Sequence, residues 1–342
     1  MSDIDIRRSG RAGRVTLTRP KALNALTYEM ATQIETALDA WADDAAIACV
    51  IIDAEGEKAF CAGGDLAAMY DTASRGDFAY GRRFWQDEYR LNAKIFDFPK
   101  PYIAFCQGFT MGGGVGISLH GSHRIVCESS RISMPECGIG LVPDVGGSLL
   151  LARAPGRLGE YLGLTAHQMD ASDALLAGFA DYFIPEAKWP ALIATLEETG
   201  DWSAVDAAAE NPPNGALTTH RAEIDLGFAG ATVPDILRGL APGAFAAKTE
   251  TAIRRCSPLS VACTLELVRR VRAFDHIRPA LEMEYRFTYR SAEEGDFVEG
   301  IRAMIIDKDR QPKWKHESVE AVPQMDMVRM LIPLGDDTLD LD

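Results

Sequence analysis

Between Thr27 and Asp44 the apolar residues Met30, Ile34, Leu38 and Trp41 recur at spacings of three and four. That period places them on one face of an amphipathic helix, with Thr27 as its N-cap. Short apolar, β-branched runs flank it: "RVTLT" (14–18) before and "ACVIID" (48–53) after. Further strand-like runs follow at "YIAFCQ" (102–107), "RIVC" (124–127) and "YFI" (182–184). Strand–helix–strand alternation from about residue 14 to 185 predicts an α/β fold with crossover connections. From about residue 187 the character changes. "AKWPALIATLEETG", "TVPDILRGL", "AAKTETAIRR", "SVACTLELVRRV" and "PALEMEYRFTYRSAEE" all read as helices, separated by breaks such as "ENPPNGA" and "APG". The expected organisation is a core over 1–186 and a helical C-terminal region over 187–342, with an acidic tail after Trp314 that is loosely ordered at its end. There is no internal repeat.

Composition narrows the partners. The chain has 342 residues, 47% hydrophobic and 25% charged, enough to bury a sizeable core. A formal net charge of −15 argues against nucleic acid or an anionic membrane surface as partner. An anionic small ligand needs only a local basic patch and stays open. The seven cysteines form no Cys-x-x-Cys pair and sit mostly in apolar runs, as buried thiols in a reducing compartment do. The first residues, "MSDIDIRRSGRAGRVTL", hold no apolar signal core, and no stretch has the 18 or so apolar residues of a membrane span. The expectation is a cytoplasmic protein.

Several common chemistries fail on spacing. "GGGVG" (112–116) does not give the dinucleotide fingerprint G-x-G-x-x-G, and there is no P-loop and no H-E-x-x-H. "GISLH" (116–120) approaches a nucleophile elbow but ends in His120 instead of glycine. His120 and His123 lack a third ligand, so they read as structural and no metal is expected. Two glycine-rich loops remain, "KAFCAGGDL" (58–66) and "GFTMGGGVG" (108–116), each following a strand. Glycines let backbone N–H groups approach a ligand, and two such loops converging would make an oxyanion hole. "MPECGIGLVPDVGG" (134–147) carries Glu136 and Asp144 in an otherwise apolar run with nothing cationic between them. Carboxylates in such company are costly unless paired or neutralised.

These segments together resemble the crotonase superfamily of coenzyme A thioester enzymes. The resemblance is carried by "LTRPKALNAL" (17–26), "KAFCAGGDL", "GFTMGGGVGISLHGSHRIVCESSRISMPE" (108–136) and "GIGLVPDVGGSLLLARAPGRLGEYLGLT" (138–165). "FWQDEYRLN" (84–92), "CSPLSVACTLELV" (256–268), "LEMEYR" (281–286) and "DFVEGIRAMIIDKDRQPKW" (296–314) are similar to motifs of its 3-hydroxyisobutyryl-CoA hydrolase branch. The resemblance implies an α/β fold, a spiral of ββα turns with a helical C-terminal region. It implies that Gly64 and Gly113 are oxyanion donors, that Glu136 and Asp144 are catalytic, and that Glu88, Gly113, Glu136 and Asp144 bind substrate. Arg19, Lys21 and Lys58 are matched to the CoA phosphates, and the residues around Ala62, Asp65 among them, more loosely to the adenine. Cys137 departs from the branch, where threonine is common. No cofactor is implied beyond CoA, which is part of the substrate. Cores of this superfamily commonly trimerise, so a homo-oligomer is an open expectation.

Within the superfamily, hydratases use two glutamates to activate water, and the first of those positions is Gly116 here. An isomerase works with one glutamate and has no need of Asp144. A hydrolase accommodates both acids. Glu136 would attack the thioester carbonyl or serve as general base for water, and Asp144 would bind a 3-hydroxyl or assist hydrolysis. The alternatives are an enoyl-CoA hydratase or isomerase, and an inactive CoA-binding protein on the same fold.

Overall fold

The expected alternation is realised as two sheets wound by a single stretch of chain. The structure is a computed structural model that describes residues 3–341. The outermost residues of the two expected regions, 1, 2 and 342, lie outside the described residues. Among the described residues nine strands run in order: β1 (Ile4–Ser9), β2 (Ala12–Leu17), β3 (Cys49–Ala54), β4 (Ala59–Cys61), β5 (Tyr102–Cys106), β6 (Phe109–Met111), β7 (His123–Val126), β8 (Arg131–Ser133) and β9 (Tyr182–Phe183). The larger sheet has the order β1-β2-β3-β5-β7-β9 and the smaller β4-β6-β8. β1 meets β2 antiparallel, with Ile4 opposite Leu17, and every other pairing is parallel. Successive pairs β3/β4, β5/β6 and β7/β8 each place one strand in either sheet, which is the winding of the spiral.

The five strand-like runs correspond to β2, β3, β5, β7 and β9. Val50, Ile51 and Ile52 are fully buried, as expected for a parallel strand covered on both faces. The small sheet was not legible, because its strands are three residues long and border glycine-rich loops. The helix Tyr28–Ala42 forms where the period placed it. Thr27 Oγ1 accepts the Met30 N–H at 3.1 Å, and Met30, Ile34, Leu38 and Trp41 are all buried. Beyond β9 the described elements are all helical. The tail contains the helix Gln324–Leu331, with Met330 and Leu331 buried.

By packing, the chain forms two compact units. The first takes residues up to Gly64, Arg90–Ser133 and Gln168–Ala216, and holds both sheets. The second takes Asp65–Tyr89, Met134–His167 and the chain from Leu217 onward, and is helical. These units are defined by packing, whereas the division at 186/187 is one of chain order. In the second unit the helix Pro258–Val271 is buried along most of its length. Its N-cap Ser257 accepts the Ser260 N–H at 3.2 Å and donates to Asp296 Oδ2 at 2.7 Å.

In the first unit the two glycine loops approach so closely that a side chain cannot enter. A Cβ on Gly114 would stand 2.3 Å from the Cys61 carbonyl oxygen, backbone against backbone. Gly114→Ala is therefore expected to destabilise the protein by about 1–3 kcal/mol through overpacking. A lowered urea midpoint at unchanged slope would show it, and an unchanged midpoint would refute the close approach.

Candidate active site

The first unit contributes backbone donors. β4 ends at Cys61 and the chain turns through Gly63, whose φ is +104°. The turn is stapled to residues 23–26: Ala62 N–H donates to the Leu23 carbonyl at 3.0 Å, and Leu26 N–H to the Gly63 carbonyl at 2.9 Å. β6 ends at Met111, Gly112 caps the helix Gly113–Ser118, and Ser118 Oγ donates to the Gly114 carbonyl at 2.6 Å. β4 and β6 are paired, so the loops leave the same sheet side by side. Among the described residues neither the Gly64 nor the Gly113 N–H has an acceptor. Two unfilled donors on neighbouring rigid loops can stabilise an oxyanion. Gly116, on the same helix, is buried and brings no carboxylate.

The residues matched to CoA differ in their freedom. Lys21 and Lys58 are exposed, and their ammonium groups make no bond among the described residues. Arg19 is engaged: its guanidinium donates to the Ala25 carbonyl at 2.6 Å and pairs with Asp3 at 3.3 Å, while its N–H donates to Asn24 Oδ1. Ala62 is half-buried. Asp65, also half-buried, belongs to the second unit.

The second unit gathers four carboxylates out of water. Glu136 opens the 3-10 turn Glu136–Ile139, and Asp144 lies between that turn and the helix Gly147–Arg153. Glu88 comes from the helix Ala79–Phe96 and Glu284 from the helix Ile277–Glu294. The first three are 4% exposed and Glu284 is 0% exposed. Among the described residues none of the four has a cationic partner. Tyr89 Oη donates to Asp144 Oδ2 at 2.7 Å and lies 3.4 Å from Thr288 Oγ1. Glu88 Oε1 and Glu136 Oε2 are buried and accept no hydrogen bond.

Burial therefore governs their protonation. It raises Glu136 well above the usual carboxylate range, and the neighbouring Asp144 and Glu284 add to the rise. Glu88 is raised in the same way, by burial and then by Asp144. Asp144 is pushed up to about 7 by burial, against the pull of the Tyr89 hydrogen bond. A group held near neutrality, as Asp144 is, is suited to acid–base work at physiological pH.

The Asp144 side chain sits on an unusual turn. Val145 has φ +52° and Gly146 φ +78°, so a buried β-branched residue is held in the left-handed region, a strain of about 1–3 kcal/mol. Gly147 N–H donates to the Asp144 carbonyl at 2.7 Å, and Glu284 accepts the N–H groups of Gly146 at 2.8 Å and Ser148 at 3.0 Å, along with the Ser148 hydroxyl. Sequence reasoning missed Tyr89 and Glu284. A signal for Glu284 was present: with Leu281, Thr288 and Ser291 it occupies one buried stripe of its helix, an odd place for an acid. Cys137, the departure from the branch pattern, packs with Sγ 3.2 Å from Thr264 Oγ1 and is accommodated within the same unit.

The enoyl-CoA hydratase/isomerase family model matches residues 12–331. The chain is 36% identical to the mitochondrial 3-hydroxyisobutyryl-CoA hydrolase of Gallus gallus, over 99% of this chain and 91% of that protein. It is 35% identical to the Homo sapiens protein of that name, over 98% and 90%. Among solved structures it superposes on an enoyl-CoA hydratase from Rhodobacter sphaeroides 2.4.1 with a TM-score of 0.95 and 52% identity, covering 99% of this chain and 100% of that one. A carnitinyl-CoA dehydratase from Mycobacterium thermoresistibile gives a TM-score of 0.95 at 39% identity, covering 100% and 99%.

The raised Asp144 has a consequence for stability. Between the ordinary aspartate value of 3.8 and about 7, the folded protein keeps a proton that the unfolded chain has released. Stability from this group is complete below the lower value and is lost as pH rises through the upper one. Asp144→Asn removes that dependence. Its advantage over the parent protein is expected to grow by about 2–4 kcal/mol between these limits. Urea midpoints at three pH values measure it, and a pH-independent difference would contradict the assignment.

Proposed function

The chain belongs to the enoyl-CoA hydratase/isomerase family, and from that premise we propose that it hydrolyses 3-hydroxyisobutyryl-CoA to 3-hydroxyisobutyrate and free CoA. The observation that carries the reading is the pair Glu136 and Asp144, both withdrawn from water in one unit without a cation. In the proposed reaction the thioester carbonyl oxygen accepts the N–H groups of Gly64 and Gly113, which stabilise the tetrahedral oxyanion. Glu136 either attacks the carbonyl carbon, forming a mixed anhydride that water opens, or takes a proton from the attacking water. In both routes the C–S bond breaks, water supplies the hydroxyl of the new acid, and a proton reaches the departing thiolate. No cofactor takes part.

Asp144 binds the 3-hydroxyl of the acyl group in this reading. A substrate hydroxyl gives a poorly solvated carboxylate a second donor beside Tyr89, whereas an acyl group without one leaves it short. Glu88, with Oε1 unfilled, has the same capacity. Lys21 and Lys58 support phosphate binding because their ammonium groups are free, whereas Arg19 supports it less because its guanidinium is held by Ala25 and Asp3. Ala62 and Asp65 remain the proposed adenine contacts.

A hydratase is the second reading, favoured by the Rhodobacter sphaeroides structure at 52% identity, which is named an enoyl-CoA hydratase. Gly116 opposes it, since the position matched to the first hydratase glutamate has no side chain. No described helix is long and apolar enough to cross a membrane. The Gallus gallus and Homo sapiens relatives are mitochondrial by name. We propose a reducing compartment, the cytoplasm, for this chain on the ground that all seven cysteines are buried and free. A homo-oligomer is part of the proposal, read by light scattering.

Thiol release followed with a chromogenic disulfide, beside loss of enoyl absorbance, separates the readings. 3-Hydroxyisobutyryl-CoA is expected to release CoA readily, and isobutyryl-CoA to be at least about tenfold poorer in kcat/KM. Crotonyl-CoA should gain little water. Fast hydration of crotonyl-CoA with no thiol release from the hydroxy substrate would replace the hydrolase by the hydratase. Absence of both would favour an inactive CoA-binding protein. Glu136→Gln is expected to bind CoA normally and lose roughly 10²–10⁴-fold in thiol release. Retained turnover in that variant would make Glu136 structural.

A further inference from the structure

We propose that Glu284 is a positioning residue, whose carboxylate clamps the backbone that follows Asp144 and so aims the Asp144 side chain. The inference rests on the hydrolase reading for its kinetic consequence but not for its geometry. Glu284 is wholly buried and faces no cation among the described residues. Its oxygens receive the Gly146 N–H at 2.8 Å, the Ser148 N–H at 3.0 Å and the Ser148 hydroxyl. These donors begin immediately after Val145, the residue held in the left-handed region. Without an acceptor there, a β-branched side chain would draw the turn back toward ordinary backbone angles. Asp144 would move with it, because its own carbonyl accepts from Gly147 within the same turn.

The other end of Asp144 depends on the same helix. Tyr89, which donates to the carboxylate, lies 3.4 Å from Thr288 Oγ1, and its ring meets Tyr285 edge-on with centroids 6.1 Å apart. Thr288 follows Glu284 by one helical turn, on the same face. One helix thus fixes both the backbone and the carboxylate of Asp144, through Glu284 at one point and Tyr89 at the other. Asp144 is the reacting-site group, and Glu284 acts through it.

The test compares Glu284→Gln with the parent protein. Glutamine keeps the size but offers one acceptor oxygen where there were two. Amide exchange is expected to quicken at least about tenfold at whichever of Gly146 and Ser148 faces the amide nitrogen in place of an acceptor oxygen. For thiol release from 3-hydroxyisobutyryl-CoA, kcat/KM should fall about 10–100-fold while free CoA binds within about twofold of the parent protein, because Asp144 no longer meets the substrate hydroxyl. Added to Asp144→Asn, Glu284→Gln should cost nothing further in kcat, because its effect passes through Asp144. Unchanged exchange, or an additive loss in the double variant, overturns the inference. A parent protein that releases no thiol overturns the hydrolase reading instead, and the exchange measurement still decides the clamp. Should Glu284→Gln not fold, Ser148→Ala removes a single donor, and the same signs at about 3–10-fold are expected. No change there also refutes the clamp.

Discussion

A carboxylate taken out of water without a cation must be met by N–H and O–H donors or hold a proton, and the second unit is organised around that constraint. The unit is capable of the other solution. Glu160, as deeply buried as Glu284, lies 2.8 Å from Arg157 and 2.9 Å from Arg272, and its carboxyl is held below the usual range by those arginines against the effect of burial. Glu284 has no such partner and is pushed up to about 8 by burial, with the Ser148 and Gly146 hydrogen bonds working the other way. The contrast separates two kinds of buried acid. One is neutralised by arginines and is structural. The other belongs to a group whose charge is left open to adjustment by what enters beside it.

The first unit meets its own need with the same economy of side chains. Gly64 and Gly113 present only N–H groups, on loops held by backbone bonds to Leu23 and Leu26 and by the pairing of β4 with β6. Donors fixed in this way need no reorganisation when negative charge develops. Arg14, buried in that unit, lies between Asp53 and Glu197.

How much could be read in advance follows from the range of each interaction. The helix Tyr28–Ala42 was legible because its cap and apolar stripe are local. Glu136 and Asp144 were legible as anomalies, acids in a run with no reason to hold them. β4, β6 and β8 were not, since three residues beside a glycine loop carry no period. The engagement of Arg19 was hidden for another reason: it depends on Asp3 and Ala25 meeting it in the fold. Glu284 lies 140 positions from Asp144 (284 − 144), and nothing local to either announces the other.

That separation has a meaning for the order in which the molecule is made. Each unit is stitched from three pieces of chain, and the second takes its last piece from Leu217 onward. At 5–20 residues per second, synthesis reaches Glu284 roughly 7–28 s after Asp144. Until then the N–H groups of Gly146 and Ser148 lack the Glu284 carboxylate, and Asp144 can remain hydrated and charged. The carboxylates are thus desolvated late, when the C-terminal helices close over a chain already synthesised. The nascent protein is spared the isolated buried charge that would otherwise oppose its collapse.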